Sequence, residues 1–144
     1  MSPFEELAVG ARGTEARRAS EWLEAACLRR NVPRAQVERL SLCLHEALAN
    51  IIAHGGGAAR AAPVRLLLEV RFDPGGGSAT VTVSDAGAAF DPVSVPERTP
   101  PKTLGEAASG GLGLAMIRRC ADWLGYRHES GCNHFTFGAR WSLP

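Results

Sequence analysis

Hydrophobic residues recur every three or four positions in three stretches of the chain, and this spacing predicts three amphipathic helices. The stretches cover residues 14–30, 33–54 and 112–124. A proline at the end of the segment 31–33 separates the first two helices, because the residue before a proline avoids the helical region. A run of glycines at 55–57 ends the second helix.

The hydrophobic pattern changes to that of strands after the second helix. Branched residues dominate 64–72 and 79–83, and the Asp-Pro-Gly-Gly-Gly segment between these stretches predicts a β-hairpin. Residues 126–128 and 133–143 predict a final hairpin with Gly131 in its turn. Apolar and polar residues alternate along the last strand, as expected for a sheet with one buried face.

These elements predict one α/β (α+β) domain, residues 1–144, built as a two-layer sandwich of a mixed, mainly antiparallel sheet and three helices. The formal net charge is +1, so no overall field attracts nucleic acid or an anionic membrane. No apolar run approaches the roughly 20 residues that span a bilayer. The first residues lack the pattern of a signal peptide. We therefore expect a cytoplasmic protein.

The four cysteines have no Cys-x-x-Cys spacing, so buried free thiols are the better interpretation. His128, Cys132 and His134 lie close together in the sequence and offer three potential zinc ligands. A structural zinc site normally has four ligands, which makes this the weaker alternative.

A polar column lies on the second predicted helix. Glu46, Asn50 and His54 are four residues apart and therefore share one face. The amide of Asn50 can ligate magnesium, and the carboxylate of Glu46 can orient or deprotonate an attacking hydroxyl. A solvated helix face is the alternative, because polar columns are common on exposed helices.

Two further segments suggest nucleotide binding. Asp85 ends a predicted strand, where its carboxylate can accept a hydrogen bond from an exocyclic amine, and Gly87 lets the backbone pass close to a ring. The segment Gly110-Gly111-Leu112-Gly113 lies at the junction with the third helix, where amide groups and the helix dipole can approach phosphates. An ordinary Asp-x-Gly turn and a flexible hinge are the alternatives. The glycine segment lacks the Gly-Lys-Ser/Thr ending of a P-loop and the βαβ context of a dinucleotide site.

The order of these segments resembles the N, G1 and G2 boxes of the ATPase superfamily that includes gyrase, heat-shock chaperones, histidine kinases and MutL repair proteins. Within it, the stretches LHEALANIIAHG, VSDAGAAFDP and GGLGLAMIRRCADWLGY, and the closing NHFTFGARW, are similar to the anti-sigma-factor serine/threonine kinases. The resemblance covers nearly the whole chain and implies a Bergerat-type ATP-binding fold.

The resemblance also implies roles for the polar residues on the second helix. Glu46 would be the catalytic base that activates a serine or threonine hydroxyl of the partner. Asn50 would bind the magnesium ion that bridges the phosphates of ATP, and His54 would lie at the nucleotide.

The other nucleotide contacts are implied by the remaining boxes. Asp85 would hold the adenine amine, with Gly87 beneath the base and Thr136 nearby on the last strand. An ATP lid would cover about 92–109. The residues expected at the phosphates are Gly110, Gly111, Leu112 and Gly113.

Partners follow from the same resemblance. A small antagonist protein of the STAS fold would be phosphorylated, a sigma factor would compete with it, and a homodimer is a further expectation. Two other functions remain open: a binding module that holds ATP and a partner without transfer, and the catalytic half of a split histidine kinase.

Overall fold

The computed structural model describes residues 2–92 and 111–144, and residues 111–114 by their backbone only. Within these residues the chain forms five strands and four helices. In chain order they are β1 (Phe4–Val9), α1 (Gly13–Arg29), α2 (Arg34–His54), α3 (Gly56–Ala61), β2 (Val64–Asp73), β3 (Gly76–Asp85), α4 (Gly111–Cys120), β4 (Trp123–Glu129) and β5 (Cys132–Ser142).

The strands form one sheet in the order β1-β2-β3-β5-β4. Each pair of neighbours among the described strands is antiparallel. The expected two-layer α+β sandwich is therefore present, but its sheet is antiparallel throughout these residues rather than mixed. At the centre, β3 and β5 pair with Asp85 opposite Asn133, which brings two polar side chains together at one end of the sheet.

The helices pack on one face of this sheet and form the hydrophobic core with it. Strand residues alternate, so every second side chain points towards the helices. The largest fully buried side chains come from both layers, and burial of each stabilises the fold by about 1.5–3 kcal/mol. They include Leu23, Leu40, Leu44, Leu66, Leu68, Val81, Val83, Ile117 and Phe137. No helix in the described part of the chain is long and apolar enough to cross a membrane.

Several elements differ from the sequence prediction. β1 was not predicted, and α3 follows α2 directly where only a glycine stop was expected. The third predicted helix ends earlier, at Cys120, whose carbonyl oxygen accepts a hydrogen bond from the side chain of Arg39 at 2.7 Å. The chain then turns into β4, which is longer than predicted.

All four cysteines are free, but only two of them are buried as predicted, and Cys120 and Cys132 are partly exposed. Cys27 and Cys43 are completely buried, and this burial raises the pKa of each thiol to about 12. Such thiols stay protonated at neutral pH and act as small apolar groups in the core.

Candidate functional site

A cleft opens between the C-terminal half of α2 and the ends of β3 and β5. Its walls are mainly apolar, with a few polar groups. The residues that line it are Ala47, Asn50, Ile51, His54, Gly55, Val83, Asp85, Ala88, Phe90, Pro92, Tyr126, Asn133 and Phe135. An apolar cleft with a few polar groups is the usual form of a small-molecule site.

Asp85 is the carboxylate at the base of this cleft. It is the last residue of β3 and only 7% exposed. Its Oδ1 accepts hydrogen bonds from the Gly87 backbone N–H at 2.8 Å and from Asn133 Nδ2 at 3.2 Å. Within the described residues Oδ2 has no such partner, so this oxygen can accept a hydrogen bond from a ligand.

Gly87 is required by the close approach of two backbone segments. A Cβ atom at this position would lie 2.8 Å from Gly55 Cα and 2.9 Å from the Gly55 carbonyl oxygen. Real Cβ atoms do not come so near to backbone. The glycine therefore lets the loop after β3 pack directly on the end of α2. This contact with Gly55 differs from the predicted one, which was a close passage of the backbone to a ligand ring.

Asn133 is the residue of this site that the sequence analysis missed. It is 5% exposed, and its Nδ2 donates to the carbonyl oxygens of Ala88 at 2.9 Å and Gly87 at 3.3 Å as well as to Asp85. Its Oδ1 accepts from Tyr126 Oη at 2.5 Å and from the Phe90 N–H at 3.3 Å. One side chain thus contacts Gly87, Ala88 and Phe90 of the segment that follows β3.

Thr136, predicted at the adenine, lies elsewhere. Side chains alternate along β5, so Asn133, Phe135 and Phe137 face the helices while Thr136 faces away from them. There its hydroxyl lies 3.1 Å from that of Thr82 on β3. Thr136 therefore lies on the face of β5 away from the cleft, whereas Asn133 of the same strand lines it.

The polar column of α2 reaches the cleft with two of its three members. Asn50 and His54 line it, and the His54 ring stacks on Phe90 with 5.2 Å between ring centroids and 21° between the planes. Glu46 is half-buried one turn earlier and is not part of the lining within the described residues. Neither Glu46 nor Asn50 forms a hydrogen bond or ion pair to a described residue, which leaves both side chains available to ligands.

The glycine segment is described only in part. Gly111, Leu112 and Gly113 form the first turn of α4, which therefore begins within one residue of its predicted start. Gly110 and the segment predicted as a lid, apart from Pro92, lie outside the described residues. Pro92 lines the cleft, and its carbonyl oxygen accepts a hydrogen bond from Arg118 Nη2 at 3.3 Å.

These features suit a flat aromatic ligand that carries an amine. Ala47, Ile51, Val83 and Phe135 supply apolar contacts, and Asp85 supplies a buried acceptor with one uncommitted oxygen. No group of three or more histidine, cysteine or acidic side chains in the described ranges is arranged to hold a metal ion. The predicted zinc alternative therefore has no geometric support there.

Comparison with known proteins is consistent with this geometry. The sequence profile of the family described as histidine kinase-like ATPase domain matches residues 9–138. A relative named serine/threonine-protein kinase BtrW, from Bordetella bronchiseptica, is 31% identical over 136 residues. That alignment covers 94% of this chain and 92% of the relative.

Solved structures share the fold. The RsbU and RsbW domains of a Mycobacterium tuberculosis protein match with a TM-score of 0.70 and 17% identity. The match covers 99% of this chain but 34% of that longer one. The SiaB-SiaC complex from Pseudomonas aeruginosa matches with a TM-score of 0.54 and 13% identity, covering 95% of this chain and 89% of the other.

Proposed function

The chain belongs to the family of histidine kinase-like ATPase domains, and from this premise we propose that it binds magnesium-ATP in the cleft and phosphorylates a serine or threonine of a partner protein. The observation that carries the proposal is the buried carboxylate of Asp85, which has one uncommitted oxygen among apolar walls. Such an oxygen accepts a hydrogen bond from the amine of adenine. In an apolar cleft this bond is selective, because a base without the amine leaves a buried acceptor unpaired.

The α2 column provides the remaining chemistry. Asn50 presents an uncommitted amide oxygen, a ligand type that magnesium accepts, so it would hold the ion. Magnesium bound there would neutralise phosphate charge during transfer. Glu46, one turn away and also uncommitted, is proposed as the base that takes the proton of the attacking hydroxyl.

We propose that the protein partner is a small STAS-domain antagonist, and that the pair regulates a sigma factor, as the competing partner, or a similar response pathway. The relative named as a serine/threonine-protein kinase supports transfer to a hydroxyl. A module that binds ATP and switches partners without transfer is the alternative. Glu46 has no hydrogen bond or ion pair with a described residue. This favours the kinase, because a module that only binds ATP and a partner does not need a carboxylate that can accept a proton.

Calorimetry with ATP and ADP, with and without magnesium, tests the nucleotide site. We expect micromolar binding by the wild-type protein, loss of the magnesium dependence in Asn50→Ala, and weakening by about tenfold or more in Asp85→Asn. Thr136→Val is the matched control, because it changes a residue of the same sheet on the face away from the cleft. Absence of ATP binding to the folded wild-type protein would overturn the proposal.

Transfer is tested separately, with a STAS-domain protein as acceptor and phosphate incorporation measured by mass spectrometry. Glu46→Gln should bind ATP with nearly wild-type affinity and lose most of the transfer, because the amide cannot accept the proton. Full transfer by this variant would exclude Glu46 as the base. ATP binding without transfer by the wild-type protein would favour the switching module.

A further inference from the structure

The face of the sheet opposite the helices carries a row of side chains that the nucleotide cleft does not use. The strand register places Arg65 of β2 opposite Ser84 of β3, Ser84 opposite His134 of β5, and His134 opposite Arg127 of β4. Residues directly opposite in a sheet point to the same side, so these four side chains form one line across four strands. We refer to them as the arginine row.

All four members line a single open groove, together with Glu6 and Thr82 among others. Arg65 and Arg127 are exposed, while Ser84 and His134 are half-buried. Neighbouring strands are about 4.8 Å apart, so the backbones at the two arginines are separated by about 14 Å. Both arginines line the same groove as the serine–histidine pair that lies between them in the sheet.

We propose that the arginine row is a binding site for a phosphate monoester or inorganic phosphate, separate from the nucleotide cleft. Guanidinium groups bind phosphate through paired, charge-assisted hydrogen bonds. Arg65 forms no ion pair with any described residue. Arg127 is paired with Glu129 at 3.2 Å, but both side chains are mostly exposed, and such a pair is weak enough to exchange for a phosphate.

The centre of the row supplies one further donor in either tautomer of neutral His134. Ser84 Oγ lies 2.7 Å from His134 Nδ1, so a proton lies between these two atoms. If Ser84 donates it, the histidine carries its own proton on Nε2. If Nδ1 donates it, the serine hydroxyl keeps its proton for another acceptor. One donor beyond the internal bond is therefore left for an anion.

Glu6 is the charge that opposes an anion here. It lies on the same face of β1, opposite Leu67, and lines the same groove as Arg65. It has no ion pair with a described residue. We therefore expect opposite effects on phosphate affinity: removing an arginine weakens binding, whereas removing the Glu6 charge strengthens it.

The test is an NMR titration of the isotopically labelled full chain with sodium phosphate, compared with sodium chloride at equal ionic strength. We expect saturable shifts at Ser84 and His134 with phosphate alone. Arg65→Gln and Arg127→Gln should each weaken the apparent affinity by about tenfold, and Glu6→Gln should increase it. Arg71→Gln is the matched control: Arg71 lies on the same strand and face but pairs with Glu69, outside the row.

A parallel titration with phosphoserine and with serine distinguishes the two sources of the anion. Tighter binding of phosphoserine than of phosphate indicates a phosphorylated side chain as ligand, and the reverse indicates free phosphate. Shifts equal to those in chloride, or titrations unchanged in both arginine variants, would refute the site. The result is independent of the nucleotide proposal, because Asp85→Asn should leave it unchanged.

Discussion

Asn133 shows how one residue can set the orientation of a neighbouring side chain in the cleft. Its Oδ1 accepts a hydrogen bond from the Phe90 N–H, and its Nδ2 donates to the Ala88 carbonyl oxygen and to Asp85 Oδ1. Because Oδ1 is already occupied by Asn133 and the Gly87 N–H, only Oδ2 is left for a ligand. The orientation of the carboxylate is therefore fixed before any ligand binds. Binding then carries no entropic cost for ordering this side chain.

Replacing Asn133 by leucine, which has a similar size but no hydrogen bonds, should reduce the preference for ATP over inosine triphosphate. Inosine lacks the amine that Asp85 is proposed to accept. We expect the wild-type protein to prefer ATP by about tenfold or more and Asn133→Leu to bring this ratio towards one. The measurement is competition calorimetry with the two nucleotides.

Two controls separate this effect from a general loss of structure. Thr136→Val, on the other face of the same strand, should keep the wild-type ratio, and Tyr126→Phe should lose only part of it because a single hydrogen bond to Asn133 disappears. If Asn133→Leu is folded and keeps the full preference for ATP, then Asn133 does not orient Asp85.

The sequence analysis singled out Asp85 and Gly87, at and just after the end of β3, but did not single out Asn133, and the reason is physical. An Asp-x-Gly segment after a strand is a local signal that residue types alone carry. Which face of β5 meets the cleft depends on its pairing with β3, which is a contact between distant parts of the chain. The alternation of Asn133 with Phe135 was visible and could have placed Asn133 on the buried face.

At the scale of elements, α2 is the organising helix. Its C-terminal half forms one wall of the cleft, and its N-terminal half is linked to α4 by Arg39. Arg39 Nε donates to the Cys120 carbonyl oxygen, and Arg39 Nη2 donates to Asp122 Oδ1 at 2.9 Å. The side chain thus satisfies a carbonyl group at the C-terminus of α4, which has no partner within its own helix.

Arg39→Gln should loosen the end of α4 and reduce the free energy of unfolding by about 1–3 kcal/mol, because bonds to a charged group are lost in a partly buried position. Compared with the wild-type protein, the variant should show faster hydrogen exchange in the last turn of α4 and unchanged exchange in α1. Arg34→Gln is the control, since its ion pair with Glu24 is largely exposed. Equal exchange at α4 in the variant and the wild-type protein would contradict the capping role.

The prediction of elements succeeded where one periodicity was strong and failed at the edges. The pattern of α2 predicted its length almost completely. β1 was missed because its short sequence places a charged residue, Glu5, on the side that faces the helices, which conceals the alternation. Only the fold supplies Arg29 and Arg30, which make that charge acceptable there.

At the scale of the whole molecule, two carboxylates hold opposite edges of the sheet to the helical layer. At the β1 edge, Glu5 forms ion pairs of 2.6 Å with both Arg29 and Arg30 of the α1 end. Near the β4 edge, Asp122 accepts from Arg39 and from the Arg140 backbone N–H at 2.8 Å. The sandwich is therefore closed at both sides by charge-assisted bonds as well as by its apolar core.

Both carboxylates make stability depend on pH in the same direction. Burial raises the pKa of Glu5, but the hydrogen bonds and charges of Arg30 and Arg29 outweigh it, so the pKa lies below its ordinary value. Burial likewise raises the pKa of Asp122, and the bonds from the Arg140 N–H and Arg39 lower it further than burial raises it. Their stabilisation is present above the ordinary carboxyl pKa and is lost as pH falls through the lowered values.

Urea unfolding between pH 6 and pH 3 should therefore show a stability loss on acidification that Glu5→Gln and Asp122→Asn each reduce. At pH 6 both variants should be less stable than the wild-type protein, and the difference should shrink towards pH 3, because protonation removes the same interaction. Glu21→Gln is the control, since its pair with Arg17 is exposed and contributes little. A Glu5→Gln curve parallel to the wild-type curve over this range would show that the ion pairs at the β1 edge do not contribute to folding.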